Sequence, residues 1–159
     1  MPRLLLLNHV VLLLCASIYL GTGISLWFFQ LPLEPKLTVD NYYLLFVEPV
    51  AAATRFFTYM TILMLVCGLI MLATEWLSGL RWPPVVVLLA VIAATVLTET
   101  ILFPLNAKLE AHVTDPATLK TLFHHWANLN RVRISLWVVQ WVAMAYWFYR
   151  MAWQARADR

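Results

Sequence analysis

The chain has 159 residues, of which 63% are hydrophobic and 12% charged, and its mean hydropathy is +0.78. A soluble domain runs near 45–50% apolar and about 25% charged, so this balance excludes an ordinary soluble enzyme and a disordered chain. A formal charge of +3 is too small for a nucleic-acid surface, and two cysteines are too few for a disulfide framework or a four-ligand zinc site.

A membrane helix needs about 20 mainly apolar residues to cross about 30 Å of hydrocarbon. The first such run covers residues 4–29, broken only by Asn8, His9 and small hydroxyl residues. It is longer than a signal-peptide core, and Leu14 ahead of Cys15 argues against a lipoprotein site. Ser17, Gly21 and Ser25 form a stripe of small residues suited to close helix contact. Pro32 and Pro35 predict an extended start to the polar segment 30–48. Glu48-Pro49 marks a helix start, leading into a second span at 53–77, on which Glu48, Ala52, Arg55 and Tyr59 share a face. Residues 78–82 read as a tight turn that makes spans two and three antiparallel neighbours. The third span covers 83–103. Thr95, Glu99, Asn106 and Glu110 lie on one face of it, and Pro104 predicts a kink. Asp115-Pro116 opens another helix. That helix either runs unbroken into the fourth span, 133–152, or forms a short outer helix with a bend. Trp126, Asn130, Arg133, Trp137 and Gln140 align on it, and His124, Asn128, Arg131 and Ser135 make a separate face. The fold expected is a single all-α domain over 1–159: an integral membrane four-helix bundle with a short outer helical segment before the last span.

The side holding both termini and the 78–82 turn carries Arg3, Arg81, Arg150, Arg156 and Arg159 against Glu75 and Asp158. The opposite side is balanced. Positive residues stay inside, so both termini are expected in the cytoplasm, with the protein in a bacterial inner membrane. Trp27, Trp76, Trp82 and Trp153 are expected at the two interfaces. His9 with Asn8 reads as an interfacial pair, and Cys15 and Cys67 as small packing residues.

Lipid cannot hydrogen-bond Glu99, Arg55 or Arg133, so these groups are expected to converge at the outer end of the spans. Such a cluster either fixes helix register or lines an outward-facing polar pocket with aromatic walls. A metal on His124 and His125 would need His112 or Glu110 as well, because adjacent histidines on a helix diverge by about 100°. No metal and no cofactor is expected. The anticipated partners are membrane lipid, a hydrophobic aromatic ligand and a protein partner or second copy, with no nucleic acid.

Two short motifs carry a family resemblance. Phe103-Pro104-Leu105-Asn106 resembles the Pro-x-Asn element of the anthrone-oxygenase-like membrane proteins, otherwise a domain of unknown function. Trp126-Ala-Asn-Leu-Asn130-Arg-Val-Arg133 resembles their Trp-x-x-x-Asn-x-x-Arg element. The four-span layout and the glycines of Leu20-Gly21-Thr22-Gly23 are similar too. The resemblance implies oxidation of an aromatic carbon acid by molecular oxygen without a cofactor. Arg133 and Asn130, with Asn106, would hold the enolate-like oxygen. Glu99, His124 or His125 would act as base. Trp126, Trp137 and Tyr59 would line the ring pocket, with Arg55 beside it. The alternative is a non-catalytic membrane module, either an accessory subunit or a binder of lipid or quinone. A small transporter with Glu99 as its titrating carboxylate lacks a broken helix pair or a repeat to support it.

Overall fold

The computed structural model describes residues 3–157; Asp158 and Arg159, counted in the charge balance above, lie outside them. Among the described residues the chain is all-helical. Helix α1 covers Arg3–Ser25, α2 Glu48–Glu75, α3 Trp82–Leu97, α4 Phe103–Glu110 and α5 Pro116–Ala157. With their flanking turns, three continuous helices (Arg3–Lys36, Tyr43–Glu75 and Trp82–Glu110) are long and apolar enough to cross a membrane. Helix α5 is one 42-residue rod, about 63 Å long at 1.5 Å per residue. The expected outer segment is therefore not a separate helix but the first turns of α5.

Each long helix packs on two others: α1 on α2 and α5, and α3 on α2 and α5. Glycine sets the spacing at two crossings. A Cβ on Gly23 would lie 2.9 Å from Trp137 Cε3 and 3.1 Å from Ile134 Cγ2, so α1 and α5 touch there. A Cβ on Gly68 would lie 2.8 Å from Leu88 Cδ2, which brings α2 against α3. The expected contact stripe at Ser17, Gly21 and Ser25 holds at Ser17, whose Oγ accepts from Trp141 Nε1 of α5 at 3.1 Å, and is corrected at Gly21. Gly21 is exposed with nothing within 4 Å of a Cβ, and the buried stripe runs Leu12, Ala16, Tyr19, Gly23 and Leu26.

Three five-residue π turns interrupt the helices: Leu26–Gln30, Tyr43–Val47 and Thr98–Leu102. Each is followed two residues later by a proline, Pro32, Pro49 and Pro104. In each, the residue just before the proline donates its N–H five positions back: Leu31 to Leu26, Glu48 to Tyr43, Phe103 to Thr98. Proline inside an α-helix lacks a donor, and its ring presses on the carbonyl four residues earlier. Widening that turn by one residue relieves the clash, and π turns are one recognised cause of bends. This corrects two expectations. Pro32 sits in a 3-10 turn, Leu31–Lys36, rather than an extended segment, and Pro49 lies inside a helix that is already under way at Tyr43.

The turn after α2 is closed by Ser78, whose hydroxyl bonds Glu75 O (3.0 Å) and Glu75 Oε2 (2.6 Å) and accepts from Leu80 N (3.0 Å). At this turn end His9 is fully buried, not interfacial. Its ring bonds Leu5 O, lies tilted by 34° against Trp147 with centroids 4.5 Å apart and comes within 3.8 Å of Glu75 Oε1. At the opposite, loop end Asp115 caps α5 by accepting from Thr118 N at 2.8 Å. Hydrogen bonds from the Thr118 side chain and backbone hold its carboxyl below the usual range. Trp27, Trp76, Trp82 and Trp153 are exposed near the two ends, as interface anchors require.

Candidate functional site

A cavity of about 380 Å³ opens between the helices in the loop-end half of the molecule. Its outermost part is an aromatic cluster. Trp126 meets Phe46 edge-on at 4.6 Å, and Phe123 lies 4.9 Å from Phe46. All three rings are buried. Trp126 Nε1 donates to Asn106 Oδ1 at 3.0 Å, joining α5 to α4. Deeper in, Tyr19, Phe57 and Trp137 form a second aromatic group, with Tyr19 centred 4.8 Å from Phe57 and 5.0 Å from Trp137. The Tyr19 hydroxyl donates to Phe57 O (3.0 Å) and meets Thr61 Oγ1 (2.7 Å). The deepest polar residue is Gln140, 2% exposed, whose Oε1 is buried without a hydrogen-bond partner.

Arg133 enters this cavity from α5. Its guanidinium lies 4.9 Å from the Trp137 ring centre and donates to Thr98 Oγ1 at 3.5 Å. Its Nε is buried and has no partner. Among the described residues no carboxylate reaches within ion-pair distance of it: the two ion pairs are His9–Glu75 and His124–Glu34. A cation over a desolvated ring gains about 2 kcal/mol, and a hydrogen bond at 3.5 Å adds little. A buried donor left without a partner costs about 1–3 kcal/mol, and more when it is charged. The pocket therefore leaves Arg133 short of compensation, a gap that an anionic oxygen would close with a charge-assisted bond.

Of the residues expected to meet, Glu99, Arg133, Asn106, Trp126 and Trp137 line this one cavity. Among the described residues, Glu99 is its only carboxylate and Arg133 its only cation. Glu99 does not pair with Arg133, which corrects the expected ion cluster. Arg55 and Tyr59 are also corrected. They face outward with Glu48 and Ala52 and do not line the cavity; Tyr59 is 74% exposed. Helix α2 is apolar on every side, so the few polar residues near its start mark the loop end rather than the packed face. That face is Met60, Met64, Cys67, Gly68 and Met71. Asn130 is fully buried but outside the cavity, and its Nδ2 donates to Trp126 O at 2.9 Å. His124 and His125 are exposed on the opposite face of α5, with His124 Nδ1 3.4 Å from Glu34 Oε1. His112 stacks on Tyr43 at 4.2 Å.

Sequence reasoning missed Tyr19, Phe57, Thr61 and Thr98. Tyr19 lies four residues before Gly23, and that spacing carried a usable signal. Phe57 beside Phe56 carried none, because both rings suit lipid or core equally. The threonines are equally silent. Thr95 and Thr98 donate to Val91 O and Ala94 O of their own helix, a common way for hydroxyls to sit in apolar surroundings. Compared with known proteins, the chain matches no family model, no curated protein and no solved structure.

Proposed function

We propose that the protein is a four-span integral membrane protein, with α5 as its fourth span and both termini cytoplasmic, whose cavity binds a hydrophobic aromatic carbon acid and promotes its oxidation by molecular oxygen. The observation that carries this reading is Arg133, a cation inside an aromatic-walled cavity with a buried, unpartnered Nε and, among the described residues, no carboxylate within ion-pair distance. The short motifs ending in Asn106 and Arg133, similar to the anthrone-oxygenase-like proteins, support it.

The chemistry needs a base, a positive group and a dry aromatic enclosure. Glu99 takes the proton from the carbon between two rings. The electron pair left behind delocalises onto the ring-system oxygen, which Arg133 stabilises. The carbanion passes one electron to oxygen, the resulting radical and superoxide combine into a peroxide anion, and the proton held by Glu99 returns to it to give the hydroperoxide. Loss of water from that hydroperoxide forms the new carbonyl. One oxygen molecule is consumed, one of its atoms enters the product and the other leaves as water.

Purified protein in nanodiscs should consume oxygen when given anthrone, and Arg133→Ala should abolish the uptake. Glu99→Gln should keep anthrone binding and lose turnover. Oxygen uptake unchanged in Arg133→Ala removes the mechanism. The second reading, a non-catalytic binder, is favoured by the placement of both candidate histidines outside the cavity. Binding without any oxygen uptake in the unaltered protein would select it.

A further inference from the structure

The walls of the cavity are unequal. The α1–α2 side is tied by Tyr19 to Phe57 O and Thr61 at cavity depth. The α1–α5 side is sealed where Gly23 admits Trp137 and Ile134. The α5 side towards α3 and α4 is bridged by Trp126–Asn106 and Arg133–Thr98. Between α2 and α3 no hydrogen bond crosses at cavity depth among the described residues. That seam is closed below by Gly68 against Leu88. It is closed above by Tyr42, buried at 2%, which donates to Leu109 O (3.1 Å) and accepts from Val113 N (2.7 Å). What remains is a window in the side wall. Its rim residues line the cavity and are also exposed: Leu45, Thr58 and Ile62 on the α2 side and Glu99 on the α3 side, while Gln30 and Pro49, exposed as well, line the cavity nearer the loops. Towards the polar loops the cavity is narrowed by the buried Phe46 and Trp126 rings, with Phe123 packed behind them.

We infer that the ligand of this cavity is a lipid-soluble acid that arrives sideways from the bilayer, through the window between α2 and α3, and docks its acidic end at Arg133. This rests on the cavity being the binding site, but not on the oxygen chemistry. A rim of Leu45, Ile62 and a threonine suits an apolar chain. The Thr58 hydroxyl is already committed to Thr54 O at 2.9 Å and makes no demand on a passing molecule. The one cation lies inside, so the acidic end goes in and the apolar remainder trails towards lipid.

The test uses a long-chain fatty acid carrying a mid-chain diazirine, photolysed with the protein in nanodiscs, with the methyl ester of the same probe as the uncharged control. The acid should label the rim peptides about tenfold above the lipid-facing surface of α1, and the ester should show no preference. Arg133→Gln should remove the preference. So should Thr58→Trp and Ile62→Trp, which change only exposed rim positions and keep the proposal testable if the arginine variant fails to fold. Even labelling of all apolar helices, or rim labelling indifferent to all three substitutions, overturns the route. Rim labelling retained in protein that consumes no oxygen with anthrone sinks the oxidation and leaves the route standing. Oxygen uptake without rim labelling does the reverse.

Discussion

Arg133 rests on one aromatic face and one long hydrogen bond, and Gln140, two helical turns deeper on α5, leaves its Oε1 unpartnered. A buried polar atom without a partner costs about 1–3 kcal/mol, and such groups concentrate where binding needs them. Gln140→Leu should therefore raise the melting temperature in detergent while weakening ligand binding. A drop in both would show that Gln140 only packs. The glycines divide by what stands opposite them. Gly23→Ala must displace the buried Trp137 ring and should cost about 1–3 kcal/mol. Gly68→Ala meets Leu88 Cδ2 at 2.8 Å and Cγ at 3.1 Å, a smaller and more adaptable side chain than the indole, and should cost less. Gly21→Ala meets nothing and should stabilise by up to about 1 kcal/mol through helix propensity alone. Thermal unfolding of the three variants should give that order.

At the level of elements, the repeated pairing of a π turn with a proline two residues on is the main device. All three copies lie at the loop end, and residues from each line the cavity: Leu26 and Gln30, Leu45 and Phe46, Thr98, Glu99 and Leu102. A π turn re-aims every side chain beyond it by adding a residue to one turn. In Trp82–Glu110 this sets Thr98 and Asn106 towards α5 and leaves Glu99 at the exposed rim, while keeping Leu102, Leu105 and Leu109 buried. Pro104→Ala removes the clash that the wide turn relieves. The segment should then tend towards regular α-helix, gaining up to about 3 kcal/mol. Its register would shift and the Asn106–Trp126 bond would be lost. The expected result is a protein that melts higher and binds anthrone at least about tenfold more weakly. Binding equal to that of the unaltered chain would mean the π turn persists without its proline.

For the molecule as a whole, three helices have the length and apolar character of membrane spans, and α5 runs alongside α1 and α3 as a rod of about twice the hydrocarbon thickness. On the four-span reading, its first turns stand clear of the bilayer with Asp115 at their head, and its last turns carry Arg150 and Arg156 to the other face. Single cysteines should then divide by side. Ser78→Cys and Ala155→Cys should react with an impermeant maleimide only from the side that carries the termini, and Thr114→Cys only from the opposite side. This is to be measured in a background with Cys15 and Cys67, both buried, replaced by alanine. Thr114→Cys and Ala155→Cys labelled from the same side would leave the chain with an odd number of crossings and remove α5 as a span.

Composition and run length alone determined the helical class, the three strongly apolar helices and the tight turn at Ser78, because a chain in lipid must satisfy its backbone within each helix. The α5 stripe from Trp126 to Gln140 was legible for a further reason: polar residues at helical spacing in an apolar background have few other places to go. The inward face of α2 and the contact glycine of α1 were not legible. On a helix that is apolar all round, periodicity says nothing about which side packs, so Arg55 and Tyr59 suggested a face that turns outward. The π turns were hidden for the same reason that makes them useful: they reset the 3.6-residue count on which any reading by spacing depends. Only tertiary packing decided that Glu99 and Arg133 share a cavity without pairing and that the wall between α2 and α3 stays open. Both depend on how closely helices approach, and that was set by what stands opposite Gly23 and Gly68.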